Sequence, residues 1–192
     1  MSAEPRDTLP ELIDDSDDAV PIWLVAERDF ERWSAQADPR TQRWLRANAF
    51  KGQDARNIVV PDGVGGIAGV AVGLGADKGA PLFPIGALPQ LLPPGDYYVA
   101  EMADTPPELL ALGWALGLYR FDAYKSTKPE GGLRRLVVDR SVDRRDVSRL
   151  AEATYFVRTL INTPAADMGP AAPEAAARVV ADRYGADINV VT

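Results

Sequence analysis

The closing stretch of the chain constrains its fold more than any other feature. Leu160-Ile-Asn-Thr-Pro-Ala-Ala-Asp-Met-Gly-Pro170 ends one helix, residues 172–184 read as a second, and Ile188-Asn-Val-Val191 reads as a strand. A lone strand after a helix has no neighbours for its backbone N–H and C=O groups, and those groups demand partners. The expectation is that a further α/β domain opens at about residue 164 and is cut off at Thr192.

The residue inventory narrows the chemistry. The 192 residues are 46% hydrophobic, enough to bury a core, and contain neither cysteine nor histidine. Disulfides, thiol catalysis, zinc–cysteine sites and the serine–histidine triad are therefore excluded. A metal site would have to use oxygen, or oxygen plus lysine. The longest apolar stretch, Leu109 to Tyr119, is too short to cross a bilayer, and no signal sequence opens the chain. A cytoplasmic location is expected.

Charge is concentrated at one end. Residues 1–18 hold seven acids and one base, and so carry nearly all of the net charge of −7. The Asp14-Asp-Ser-Asp-Asp18 run lacks the glycine and distant glutamate of a calcium loop. It reads as a solvated, partly disordered tail. The near-neutral remainder argues against strong nonspecific nucleic-acid binding.

Along the chain, Val20–Ala26, Asn57–Val60, Gly66–Gly73, Asp96–Ala100 and Leu133–Asp139 read as strands. The second and third are joined by a glycine turn, which predicts an antiparallel hairpin. Helices are expected at 39–49, over a short piece near 86–92, after Thr105-Pro-Pro-Glu108 as a capping box, and from Asp143 to Pro164. Gly113 and Gly117 lie on one helix face and suit packing on a sheet. Val147, Leu150, Thr154, Val157 and Ile161 form an apolar stripe along the last long helix. Pro173 and Glu174 open a final helix that Gly185 caps. Alternating strands and helices with one hairpin give an α/β fold with a mixed sheet of five or six strands.

Each candidate motif has a plain rival reading. Gly63-Val-Gly-Gly-Ile-Ala-Gly69 precedes a strand, whereas a dinucleotide fingerprint follows one, so a turn is favoured. Gly73-Leu-Gly75 ends a strand and could meet a phosphate, although a simple turn is the commoner outcome. Arg120, Asp122 and Lys125 sit near a helix end, where capping outweighs catalysis. Arg134, Arg135, Arg140, Arg144, Arg145 and Arg149 could form a nucleic-acid patch. Interleaved Asp139, Asp143 and Asp146 favour ion pairs instead. No Gly-x-Ser-x-Gly elbow and no P-loop occurs. No catalytic, metal-ligating or cofactor-binding residue is assigned.

Val157-Arg-Thr-Leu-Ile-Asn-Thr-Pro-Ala-Ala-Asp-Met-Gly-Pro170 resembles the segment that enters the catalytic domain of leucyl (cytosol) aminopeptidases. Val70-Ala-Val-Gly-Leu-Gly75 and Leu116-Gly-Leu-Tyr-Arg-Phe-Asp-Ala-Tyr-Lys125 are similar to two upstream stretches of that family, in the same order. The resemblance covers about residues 19–192. Beyond the acidic, partly disordered tail that charge marks over 1–18, it implies a macro-like N-terminal domain over 19–142, a linker helix over 143–163, and the opening of a peptidase domain over 164–192. It further implies a parent enzyme, typically a hexamer, that removes N-terminal residues from peptides using two divalent ions of Zn, Mn or Mg. The family's metal motifs, Gly-Lys-Gly, Phe-Asp-x-Gly-Gly and Asn-Thr-Asp-Ala-Glu-Gly-Arg, do not occur here. No catalytic or metal residue is carried over, no cofactor is expected in this chain, and the chain alone is expected to be inactive. Asn162, Thr163 and Pro164 match as architectural residues that end the linker helix. The expected partners are the chain's own catalytic domain, and in the parent enzyme further copies of itself and a peptide substrate. No membrane and no nucleic acid are expected. The alternatives are a macro-like module for ADP-ribose or another nucleotide, and a nucleic-acid-binding domain.

Overall fold

A computed structural model describes residues 9–76, 82–100, 105–126 and 132–191. Six strands form one sheet: β1 (Leu12–Ile13), β2 (Val20–Val25), β3 (Asn57–Pro61), β4 (Ile67–Gly73), β5 (Gly95–Val99) and β6 (Arg134–Val137). Their order is β1-β6-β5-β2-β4-β3. All neighbours run parallel except β3 and β4, which form the expected antiparallel hairpin. The helices are α1 (Phe30–Gln36), α2 (Pro39–Ala47), α3 (Leu82–Leu91), α4 (Pro107–Gly117), α5 (Arg144–Asn162) and α6 (Ala171–Tyr184). The α/β class and mixed sheet agree with the sequence.

Strand alternation sorts side chains onto two cores. On one face Ile22, Val70, Val72, Tyr97 and Leu136 pack under α3, α4 and the start of α5. On the other, Val25, Ile58, Val60 and Ala71 meet Phe30, Leu45 and Phe50 from the α1–α2 side. The ring of Trp114, fully buried on α4, stands 5.7 Å from that of Tyr97. Asp38 caps α2 by accepting from the amides of Arg40 and Thr41.

Five expectations need correction. Leu12–Ile13, placed in the acidic tail, is an edge strand paired in parallel with Leu136–Val137. Leu9 and Leu12 are buried, so two apolar residues outweigh the surrounding acids. The first turn of α4 is not a capping box. The helix begins one residue later than such a box requires, with Pro106 at the cap position and no side-chain cap. Gly113 and Gly117 do face another backbone, but it belongs to α3 rather than to the sheet.

The stripe on α5 is buried only at its start. Val147 and Ala151 are in the core, whereas Leu150 is 40%, Val157 52% and Ile161 75% exposed. The inward face of α5 carries Val147, Ser148, Ala151, Tyr155 and Arg158 instead, so Leu150, Val157 and Ile161 turn away from it. Finally, residues 186–191 form no strand. Their backbone has no neighbouring strand among the described residues, and an unpaired strand gains nothing from extension.

Candidate functional site

The glycine candidates resolve into backbone architecture. The amide of Gly73 donates to Arg56 O at 2.8 Å, that of Leu74 to Val25 O at 3.0 Å, and that of Gly75 to Gly52 O at 2.8 Å. A Cβ on residue 73 would stand 1.8 Å from Gln53 O. The glycine at the end of β4 permits this close approach, and all three amides are consumed. None of these three amides is left for a phosphate. Gly63–Gly69 is the β3–β4 turn and the strand after it. The Asp62 carboxylate accepts from the amides of Val64 and Gly66, both at 2.8 Å, and those bonds hold it below the usual carboxylate range.

Four of the six candidate arginines are likewise engaged in structure, whereas Arg140 and Arg145 are exposed. Arg135 grips Asp96 with two bonds of 2.6 Å across β6 and β5, and that pair, helped by Ser16, lowers the Asp96 pKa. Arg134 donates to Leu92 O and Gly132 O, both at 2.9 Å. Arg144 reaches Leu12 O and Asp14, tying β1 and the acidic run to α5. Arg149 pairs with Asp146 on its own helix. Asp122 pairs with Lys125 at 2.8 Å and lies 3.9 Å from Arg120, just beyond α4. Among the described residues no three His, Cys, Asp or Glu side chains come together as a metal-ligand set. These residues do not fit a metal pair, and no hydrolytic step is derived from them.

What the structure does build is a junction. The end of α4 leaves backbone carbonyls without helical donors. Two side chains of α5 reach this end: the Tyr155 hydroxyl donates to Ala115 O, which also accepts from the Leu118 amide at 3.0 Å, and Arg158 donates to Leu116 O at 2.8 Å. Burial pushes the Tyr155 phenol well above its ordinary pKa, so it remains a donor at neutral pH. The Tyr119 ring lies 5.4 Å from that of Tyr155, and the Arg158 guanidinium sits 5.6 Å from the Tyr119 centroid. Asn162 Nδ2 donates to the Tyr119 hydroxyl at 3.2 Å.

The segment after α5 is held to the same place. Thr163 caps the helix, its amide and hydroxyl both donating to Thr159 O. The carbonyl of Pro164 accepts from the amides of Asp167 and Met168 at 2.9 Å. The Tyr124 hydroxyl then donates to Asp167, and this bond raises the Tyr124 pKa. So Tyr119–Lys125 and Asn162–Asp167, far apart in sequence, meet at one seam. Sequence reasoning singled out Asn162, Thr163 and Pro164 but missed Tyr155 and Arg158. Their signal is the 155, 158, 162 spacing of hydrogen-bonding side chains beside the apolar stripe.

The described residues define an α/β domain against which the long helix α5 packs. Solved structures share this fold. The chain is similar to a cytosol aminopeptidase from Coxiella burnetii, with 28% identity, a TM-score of 0.75, and coverage of 91% of this chain and 38% of that one. The bottromycin maturation enzyme BotP shares the fold at 22% identity and a TM-score of 0.62, covering 88% of this chain and 38% of its own. A variant of tomato leucine aminopeptidase does so at 16% identity and a TM-score of 0.64, covering 91% and 42%. The chain thus spans about two fifths of the length of these proteins. No curated protein matches the sequence. Residues 20–139, more than half of the chain, match the M17 aminopeptidase N-terminal domain, and the chain belongs to that family.

Proposed function

We propose that this chain is the non-catalytic N-terminal part of a leucyl aminopeptidase-like metalloexopeptidase. In this reading residues 19–142 are the accessory domain, 143–163 the linker helix and 164–192 the approach to the catalytic domain. The parent enzyme hydrolyses N-terminal residues from peptides in the cytoplasm, as a hexamer, with two divalent ions of Zn, Mn or Mg in its catalytic domain. The present chain supplies scaffolding and the orientation of that domain, and is inactive alone. Among the described residues no helix is long and apolar enough to cross a membrane, which agrees with this reading.

One observation carries the proposal: the family match over residues 20–139 lies on a domain that runs directly into α5. The far half of that helix leaves Val157 and Ile161 exposed, a surface suited to further packing. The test is the reading frame downstream of residue 192 in the encoding gene. It should encode Gly-Lys-Gly, Phe-Asp-x-Gly-Gly and Asn-Thr-Asp-Ala-Glu-Gly-Arg in a second α/β domain. A downstream frame without these motifs would remove the peptidase assignment.

A further inference from the structure

The α1–α2 side of the sheet holds a cavity separate from the junction. It has a volume of about 350 Å³, and Trp23, Trp33, Gln36, Asp38 and Thr41 are among the residues that line it. Trp23 projects from β2 over Gly69 of β4. A Cβ on residue 69 would fall 2.1 Å from the Trp23 ring, so the ring fills the space a side chain would need. Trp33 on α1 meets it with centroids 5.7 Å apart and planes inclined at 56°. Both rings are half-buried. Two inclined indoles make a concave aromatic corner whose faces carry negative quadrupole potential.

Among the described residues that line the cavity, Asp38 alone is charged. Asp38 Oδ1 accepts from the amides of Arg40 and Thr41 at 2.9 and 3.1 Å, while Oδ2 accepts from the Thr41 hydroxyl. These bonds, the Thr41 hydroxyl's first, hold the carboxyl below its ordinary pKa, so it is fully ionised at neutral pH. They also use the first amides of α2, which leaves those donors unavailable to an anion. The Arg40 guanidinium is spent on the Asp62 carbonyl at the β3–β4 turn. Among the described residues no lysine or arginine lines the cavity.

The geometry points to a binding site for an organic ammonium group, quaternary or N-methylated, seated against Trp23 and Trp33 with Asp38 as its counter-charge. Methylated ammonium suits the site because its charge is spread over apolar methyl groups that lose little by leaving water for an indole face. Gln36 adds an amide oxygen as a further acceptor at the rim. The site does not depend on the peptidase reading.

The test is an NMR titration of the purified chain, following the indole N–H signals of its four tryptophans. The probes are choline, its neutral isostere 3,3-dimethylbutan-1-ol, and a short peptide carrying Nε-trimethyllysine. Choline or the peptide should shift Trp23 and Trp33 saturably and leave Trp44 and Trp114 in place. The tighter of the two cations identifies a free or a peptide-borne source. The neutral alcohol should bind about fivefold more weakly or worse, the factor expected for loss of one cation–π contact. Asp38→Asn, which keeps the capping oxygen, should weaken cation binding by a similar factor, and Trp33→Leu should abolish it. If Trp33→Leu does not fold, Asp38→Asn carries the comparison. The inference fails if neither cation gives a saturable shift, if the alcohol binds as well as choline, or if Asp38→Asn binds as wild type.

Discussion

Replacing Gly117 by alanine sets two physical effects against each other. Alanine is the better helix former by about 1 kcal/mol, so helix propensity alone predicts stabilisation. The structure predicts the reverse. A Cβ on residue 117 would stand 1.9 Å from Gly86 O, 2.8 Å from Gly86 C and 3.1 Å from Gly86 Cα, where ordinary contact begins at 3.4 Å. All three atoms are backbone, so no side chain can swing aside. Helix α3 would have to retreat from α4 by more than 1 Å. It carries Ile85 and Leu88, both fully buried against the core that includes Trp114 and Ala115. Overpacking costs about 1–3 kcal/mol, and a 1.9 Å clash with fixed backbone belongs in the upper half of that range, about 2–3 kcal/mol. After the helix gain, a net loss of about 1–2 kcal/mol remains. For a chain of this size that lowers Tm by roughly 2–8 °C. Urea unfolding followed by far-UV circular dichroism should show a lower midpoint at unchanged slope. The matched variants give a ranking, because a Cβ at 113 would sit 2.7 Å from Leu82 O and one at 86 would sit 3.0 Å from Gly113 O. The loss should fall in the order Gly117→Ala, Gly113→Ala, Gly86→Ala. A Gly117→Ala protein as stable as wild type, or more so, would refute the account of the α3–α4 contact.

The junction gives further expected outcomes. Tyr155→Phe removes one of two donors to Ala115 O and leaves the Leu118 amide in place, so it should cost about 0.5–1.5 kcal/mol in urea unfolding; an unchanged midpoint would mean the bond is dispensable. Because burial raises the phenols of Tyr155 and Tyr97, an ultraviolet pH titration should find tyrosines that ionise late, Tyr155 last and only as the chain unfolds at alkaline pH. Asp96 has a folded-state pKa lowered from 3.8 by Arg135. Its contribution is therefore present above that value and lost as pH falls below about 4. Asp96→Asn should be less stable than wild type at neutral pH, and the difference should vanish in acid; a gap that persisted at about pH 2 would contradict the pairing.

The sheet was legible wherever strands obey a two-residue period and end at glycine or proline. Ile58 and Val60 on one face, with Val59 on the other, are an example. The hairpin followed from the glycines at 63–66. The β1 strand was hidden because Leu12–Ile13 is too short to show a period and lies among acids. Its partner Leu136 is more than a hundred residues away. The α5 stripe was periodic, but the inward face runs through Ala151, Tyr155 and Arg158, and an apolar period does not reveal that a tyrosine and an arginine are the residues turned inward. The capping box failed by a single residue of register, which helix-start signals do not resolve. At the junction, Asn162, Thr163 and Pro164 were visible as a helix stop. The donors Tyr155 and Arg158 were not, because their acceptors are backbone carbonyls of another helix and leave no pattern near them in sequence.

The central claim is that this chain is an accessory domain whose chemistry is performed elsewhere. Purified chain incubated with leucine p-nitroanilide and Mn²⁺, Zn²⁺ or Mg²⁺ measures that directly. The account predicts no p-nitroaniline release above a metal-only blank, since the described residues gather no metal-ligand set. Robust, chelator-sensitive turnover by the chain alone would contradict it.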